Sequence, residues 1–154
     1  MGQQIVLPPA YQRPSGGLWR SGDQLNLVDG TPTLVLLNTV LSSFSDGIEN
    51  VGTNRITPGV PGYYSILAQV NYKDTTVVAD KTYTAEIWIN GVMNRTKWSH
   101  SSSAGSLSVT CYKASTLIAL ATDYIQLYAT SNAGVDTVDI YGNPGTLLEV
   151  QRVR

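Results

Sequence analysis

The feature that most limits the fold of this chain is a strict alternation of residue types over residues 62–72. Successive side chains of a β-strand point to opposite faces, so alternate positions share one face. One face is wholly apolar or aromatic, with Tyr64, Ile66, Ala68, Val70 and Tyr72. The other face is mixed, with Tyr63, Ser65, Leu67, Gln69 and Asn71. A Pro-Gly-Val-Pro-Gly corner directly precedes the alternation, and such residues mark turns at strand ends. The pattern predicts a long strand with one face on a hydrophobic core.

Further stretches of strand character recur at short intervals after residue 30. Asn90-Gly91 joins two of them, and this dipeptide favours a hairpin because a type I′ turn needs positive φ at both central positions. No stretch has a capped period of 3.6 residues, as a helix would require. Eight short strands predict an all-β, two-sheet antiparallel jelly-roll sandwich. The predicted strands are 33–41, 62–72, 81–90, 92–100, 105–112, 116–121, 123–131 and 146–153.

The first thirty residues differ in composition from the rest. They contain Pro8, Pro9, Pro14 and five glycines. Proline fixes φ and lacks a backbone donor, so we predict an extended, irregular segment rather than a regular strand. We therefore divide the chain into an N-terminal arm, 1–30, and a jelly-roll domain, 31–154. The arm either docks on a partner or folds back on its own domain, and its apolar anchors are Ile5, Val6, Leu7, Tyr11, Leu18 and Trp19.

Composition excludes several functional classes. Charged residues make up 14% of the chain and the net charge is −1, against about 25% charged residues in average domains. No basic run or stripe is present, so we expect no nucleic-acid partner. No apolar run reaches the roughly 20 residues of a membrane span, so we expect no membrane partner. The N-terminus has neither a basic nor an apolar signal region, so we expect synthesis in the host cytoplasm without a signal peptide.

Candidate reactive residues are few. Cys111 is the single cysteine and alternates with apolar residues, which is typical of a small buried side chain. His100 is the single histidine and lies in a serine-rich stretch without ligands at metal-binding spacing. Asp136 and Asp139 match no calcium loop and favour turn formation. Asn94 begins a formal glycosylation sequon that we expect to stay unmodified. We therefore predict no enzyme activity, cofactor or metal.

Four segments of the chain are informative together: FSDGIENVGTNRITPGVPGYYSILAQVNY (44–72), AEIWINGV (85–92), TLIALATDYIQLYA (116–129) and GTLLEV (145–150). As a set they resemble the globular head of the complement and tumour-necrosis-factor superfamily. The resemblance covers residues 33–153, and the N-terminal arm lies outside it. Two departures stand out: Thr122 replaces a usual glycine, and leucines with Glu149 replace aromatic residues in the last strand. The resemblance implies a jelly roll that assembles as a compact homotrimer and binds rather than catalyses.

The resemblance also implies a trimer interface. The strand after the Pro-Gly corner would face the three-fold axis. Independently, strands 62–72 and 123–131 carry large side chains on both faces, which suits a sheet covered twice or placed at an interface. The alternative is that these are ordinary solvent-facing residues of a half-buried sheet. The predicted interface residues are Tyr63, Ser65, Leu67, Gln69, Tyr124, Tyr128 and Leu147.

Two functional classes follow from this reading. The first is a structural virion protein, a trimeric decoration or cement protein of a bacteriophage head, whose knob and arms bind the major capsid protein on the capsid exterior. The second is a trimeric receptor- or carbohydrate-binding head, on a phage fibre tip or as a secreted ligand. In that class exposed aromatic side chains such as Trp88, Trp98 and Tyr141 would stack on sugars.

Overall fold

The computed structural model describes residues 14–41, 45–73, 75–134 and 137–153. Within these ranges all regular secondary structure is β-strand. The strands are β1 (Ser15–Trp19), β2 (Gln24–Val28), β3 (Thr33–Leu34), β4 (Thr39–Val40), β5 (Glu49–Asn50), β6 (Arg55–Ile56), β7 (Gly62–Tyr72), β8 (Lys81–Ile89), β9 (Val92–Ser101), β10 (Leu107–Ile118), β11 (Ile125–Ala129), β12 (Ser131–Asn132), β13 (Thr137–Ile140) and β14 (Leu147–Arg152).

The strands form two antiparallel sheets. Sheet A has the order β2-β13-β7-β14-β1-β4. β13 and β14 pair with one edge of β7, and β10 pairs with its opposite edge. Sheet B has the order β12-β8-β11-β6-β5, with β9 paired to β8 and β3 paired to β11. The predicted all-β, two-sheet jelly roll is confirmed.

The inner faces of the two sheets enclose one hydrophobic core. The predicted apolar face of β7, from Tyr64 to Tyr72, is fully buried at every alternate position. The inward residues of β8 and β11 face it and are equally buried. Tyr72 brings a hydroxyl into this core, and its oxygen lies 2.6 Å from the Thr84 carbonyl and 3.1 Å from the Thr130 carbonyl. The core therefore contains a buried phenol whose polar atom is satisfied.

Three predicted strands differ from the observed elements. Segments 105–112 and 116–121 form one long strand, β10, interrupted by a register shift between Lys113 and Thr116. Such a bulge breaks the alternation in the sequence without ending the strand. Segment 33–41 instead splits into β3 in sheet B and β4 in sheet A. The chain crosses between the sheets there through Val35 and Leu37, which are both buried.

The prediction that residues 1–30 are an irregular arm is wrong from Ser15 onward. β1 lies between β14 and β4 in sheet A, and β2 pairs with β13. Gly16 allows β1 to pack closely, because a Cβ there would lie 2.6 Å from the Ile48 side chain. All three prolines precede β1 and therefore do not interrupt it. The domain thus includes residues 14–30 as well as those from 31 onward, and the predicted anchors Ile5, Val6, Leu7 and Tyr11 lie outside the described residues.

The β8–β9 hairpin turns at the predicted Asn90-Gly91 pair, and both residues have positive φ, 52° and 75°. The Asn90 side chain ties the turn to the segment before β11. Its Nδ2 donates to Asp123 Oδ1 at 2.8 Å, and its Oδ1 accepts from the Tyr124 N–H at 3.0 Å. Asp123 Oδ2 accepts from the backbone N–H groups of Ala119 and Leu120, at 3.0 and 2.9 Å. Asp123 therefore connects two turns at one end of the sandwich.

Stability should depend on the ionisation of Asp123. Hydrogen bonds from the Leu120 N–H and the Asn90 amide lower the pKa of Asp123 below its ordinary value. A lowered folded-state pKa stabilises the fold above the unfolded-state pKa of about 3.9, and the contribution is lost as pH falls through the folded-state pKa. Asp123→Asn should therefore melt at a lower temperature than the wild type near neutral pH, and the difference should shrink in acid below about pH 4.

Asp80→Asn is the matched control, because the exposed Asp80 side chain makes no hydrogen bond among the described residues. Melting temperatures followed by circular dichroism across a pH series test the expectation. A difference between Asp123→Asn and wild type that stays constant down to strong acid would contradict the role given to the carboxylate.

Candidate assembly surface

The outer face of sheet A gathers most of the predicted interface residues. By strand register, Leu67 of β7 lies opposite Tyr112 of β10 and Glu149 of β14. One step along, Gln69 lies opposite Leu147. We call this surface the β7 face. It comprises Trp19, Tyr63, Ser65, Leu67, Gln69, Thr110, Tyr112, Leu147, Glu149 and Gln151.

The β7 face is mixed in character and shallow. Its polar groups are partly engaged within the sheet: Thr110 Oγ1 donates to Gln69 Oε1 at 3.1 Å, and Ser65 Oγ donates to the Gln151 carbonyl at 3.3 Å. A cleft of about 200 Å³ opens between β7, β10 and β14, lined by Leu67, Glu149 and their neighbours. Of the residues in these three strands only Glu149 is acidic, and it forms no ion pair among the described residues. The face thus combines half-buried apolar groups with one unpaired carboxylate.

Tyr124 and Tyr128 do not belong to this surface, so the prediction that they neighbour Ser65, Leu67 and Gln69 is wrong. β11 lies in sheet B, and its apolar residues point inward. Tyr128 therefore lies on the opposite outer face, where its ring stacks on Trp88 with 4.3 Å between centroids. The Arg55 guanidinium carbon lies over the Tyr124 ring, 4.8 Å from the ring centroid.

The two predicted arm anchors within the described residues occupy different environments. Leu18 is fully buried in the core of its own domain, so the prediction that it docks on a partner is wrong. Trp19 is half-buried and pairs in register with Leu147, which places it at the margin of the β7 face. The reason is the strand period, which sends consecutive residues of β1 to opposite faces.

A second exposed surface was not predicted from the sequence. β9 and β10 follow one another in the chain and form neighbouring edges of sheets B and A, where Lys113 Nζ donates to Asn94 Oδ1 at 2.6 Å. We call this surface the β9–β10 edge. Residues 92–98 of β9 are all exposed, with Met93 at 53% and Trp98 at 63%. Exposed apolar groups concentrated on an edge strand mark an interaction surface.

The β9–β10 edge is also basic. Between Glu86 and Asp123 the chain contains no acidic residue, whereas it contains Arg95, Lys97 and Lys113. None of these three cations forms an ion pair within the described ranges. The acid-free stretch is visible in the sequence, and it is the signal that could have identified this surface.

The candidate reactive residues are dispersed. Cys111 is buried in the core, and burial raises the pKa of its thiol. Asp139 Oδ1 accepts from the Asn26 N–H at 3.0 Å, while Asp136 lies outside the described residues. In the described part of the chain no three His, Cys, Asp or Glu side chains group as metal ligands. No helix in that part is long and apolar enough to cross a bilayer.

The sheet order and the two packed sheets define a jelly roll, and the same fold is found in solved structures of complement and tumour-necrosis-factor proteins. The chain is similar to the globular domain of zebrafish complement 1qA, with a TM-score of 0.61 and 13% identity over 93% of this chain and 98% of that one. It is similar to murine APRIL, with a TM-score of 0.62 and 12% identity over 92% and 100% of the two chains. Eiger TNF from S. frugiperda gives a TM-score of 0.60 and 10% identity over 92% and 93%. No family model and no curated protein matches the sequence. At these identities the likeness concerns the fold.

Proposed function

We propose that this protein is a non-enzymatic assembly module that forms a homotrimer, with the β9–β10 edge of each copy packed on the β7 face of the next. The observation that carries the proposal is that one chain exposes two different surfaces of complementary character. A closed ring of identical subunits with head-to-tail contacts needs two such surfaces on every copy. The resemblance to trimeric heads and the shared fold favour three copies.

Charge and apolar area support the same pairing. Among the described residues, Glu149 on the β7 face forms no ion pair, and the same is true of the cations Arg95, Lys97 and Lys113 at the opposing edge. Complementary charges fix register and exclude wrong partners. Trp98 and Met93 supply apolar contact area of the kind that dominates interface energetics.

The finer proposal is a decoration protein on the exterior of a virion, bound to the major capsid protein. The Pro14 carbonyl accepts from the Arg152 N–H at 3.0 Å, so the thirteen preceding residues are attached at a fixed end of sheet A. They carry the apolar anchors Ile5, Val6, Leu7 and Tyr11. Three such segments on one trimer would bind several capsid subunits together, which raises the effective concentration of each contact.

Co-sedimentation with purified capsids tests the decoration role. Replacing Ile5, Val6 and Leu7 by serine should weaken capsid binding by at least about tenfold, because three apolar anchors lose their burial. Replacing Gln3 and Gln4 by serine is the matched control, since it changes the same segment without removing apolar area. Equal sedimentation of both variants with the wild type would show that the N-terminal segment does not bind capsids.

The second candidate is a trimeric recognition head, on a fibre tip or as a secreted ligand. The observation that favours it is the 63% exposure of Trp98 on a strand that also carries the exposed cations Arg95 and Lys97. Binding to glycans or cell-surface receptors without binding to capsids would select this class over decoration.

A further inference from the structure

A second cleft lies at the end of sheet A, where the last residues of β7 lie beside the first residues of β10. Its volume is about 250 Å³, and it is lined by Asn71, Ser106, Leu107, Ser108, Tyr141 and Asn143. The lining contains amides, hydroxyls, one aromatic ring and one aliphatic side chain, and no charged group. This composition differs from the cleft on the β7 face, which contains Glu149.

The polar groups of the cleft are held in place by the fold. Asn143 Oδ1 accepts from Asn71 Nδ2 at 3.1 Å and from the Gly145 N–H at 2.9 Å. These two bonds fix the orientation of the Asn143 amide. The residue at 145 must be small, because a Cβ there would lie 2.1 Å from Asn71 Nδ2. Glycine at this position therefore allows the two asparagines to meet.

The fixed amide leaves hydrogen-bonding capacity for a ligand. Asn143 Nδ2 carries two N–H groups that have no partner among the described residues. The hydroxyls of Ser106 and Ser108 likewise make no hydrogen bond within the described ranges. A hydroxyl both donates and accepts. The cleft thus presents several unengaged donors and acceptors around one small volume.

Tyr141 gives the cleft an aromatic surface. Its backbone N–H donates to the Asn71 carbonyl at 2.8 Å, which anchors the residue beside the paired amides. The Lys73 ammonium lies 5.8 Å from the ring centroid but is bound to Asp23 at 2.6 Å. This cation is therefore already paired with a carboxylate, so it adds little attraction for an anion.

We propose that this cleft binds a neutral saccharide, with the sugar ring against Tyr141 and its hydroxyls on Asn143, Ser106 and Ser108. Neutral sugars combine apolar C–H faces with closely spaced hydroxyls, and sites of this kind pair an aromatic surface with a few placed polar groups. The volume lies below the roughly 300–1,000 Å³ of sites for drug-sized ligands, which suits a single pyranose unit. The inference is independent of the proposed trimer, since every lining group comes from one chain.

Saturation-transfer NMR on the full-length protein tests the inference, with the methyl glycosides of glucose, galactose, mannose and N-acetylglucosamine as probes at about 10 mM. At least one glycoside should give a signal, and a titration should show binding weakened at least about tenfold in both Tyr141→Ala and Asn143→Ala. Tyr141→Phe keeps the ring and should recover most of the binding lost in Tyr141→Ala. Asn132→Ala, which removes an exposed amide on β12, should bind as the wild type does.

Melting temperature and solution mass of each variant separate loss of the site from loss of the fold or of the assembly. Absence of signal from all four glycosides, or signal that survives both alanine substitutions in folded protein, would overturn the inference. Signal from sialic acid or glucuronic acid glycosides without signal from the neutral set would also overturn it. If the protein is monomeric but binds glycosides, the proposed trimer is wrong and the proposed saccharide site is supported. If the protein is trimeric but binds no glycoside, the proposed saccharide site is wrong and the trimer is supported.

Discussion

Deleting residues 1–30 is expected to abolish cooperative folding, whereas deleting residues 1–13 is expected to leave the fold intact. The longer deletion removes β1 and β2, and with them the fully buried Leu18 and the nearly buried Leu27. Truncating one buried leucine costs about 2–5 kcal/mol, and the total stability of a domain is about 5–15 kcal/mol. The longer deletion also leaves β14 unpaired on the edge that β1 covers along residues 147–151, so that only β7 still pairs with it.

Thermal melts followed by circular dichroism, with hydrogen exchange of β14 amides, distinguish the two deletions. The shorter deletion serves as the control, because β1 and all its contacts with the described residues remain. A sharp melt of the 1–30 deletion within a few degrees of the wild type would show that β1 is dispensable and that the arm is separate after all.

Leu67→Lys is expected to convert the trimer into monomers. Leu67 lies at the centre of the β7 face, between Tyr112 and Glu149 in register. The substitution removes apolar area, neutralises Glu149 and sets an ammonium against a basic edge. Breaking charge complementarity in a desolvated contact costs about 2–5 kcal/mol, so dissociation should increase by at least about 30-fold.

Two further variants make this expectation specific to the surface and to its charge. Leu25→Lys is the matched control, because Leu25 is 58% exposed on β2 and lies outside both proposed surfaces. Leu67→Glu should retain more trimer than Leu67→Lys, since its carboxylate would face cations. Light scattering behind size exclusion measures all three. Unchanged assembly of Leu67→Lys, or equal loss in Leu25→Lys, would show that the surface is misassigned.

The alternation of apolar and polar residues in the sequence predicts much of the fold. The period of two over residues 62–72 placed every core residue of β7, because burial on one face leaves no other register. Asn90-Gly91 placed the β8–β9 turn, because few other residues accept positive φ. β1 was missed because its Gly16-Gly17 pair is depleted in strands, and only the packing against Ile48 explains it. Tertiary contacts overrode the local preference there.

The sequence predicts the candidate surfaces less well than it predicts the fold. The pattern of β11 showed two non-equivalent faces, but it could not show that β11 belongs to sheet B, so Tyr124 and Tyr128 were assigned to the wrong side. Leu147 was placed correctly beside Gln69 because the last strand pairs with β7. The β9–β10 edge and the neutral cleft depend on which strands lie next to each other in space. A local sequence pattern does not predict these contacts between distant segments.

The most direct test is the mass of the full-length protein in solution, measured by light scattering over a range of micromolar concentrations. We expect the wild-type protein to be a single species with three times the mass of one chain. We expect the Leu67→Lys variant to have the mass of one chain. A wild-type protein that remains a folded single chain at the highest concentration would contradict the proposed assembly.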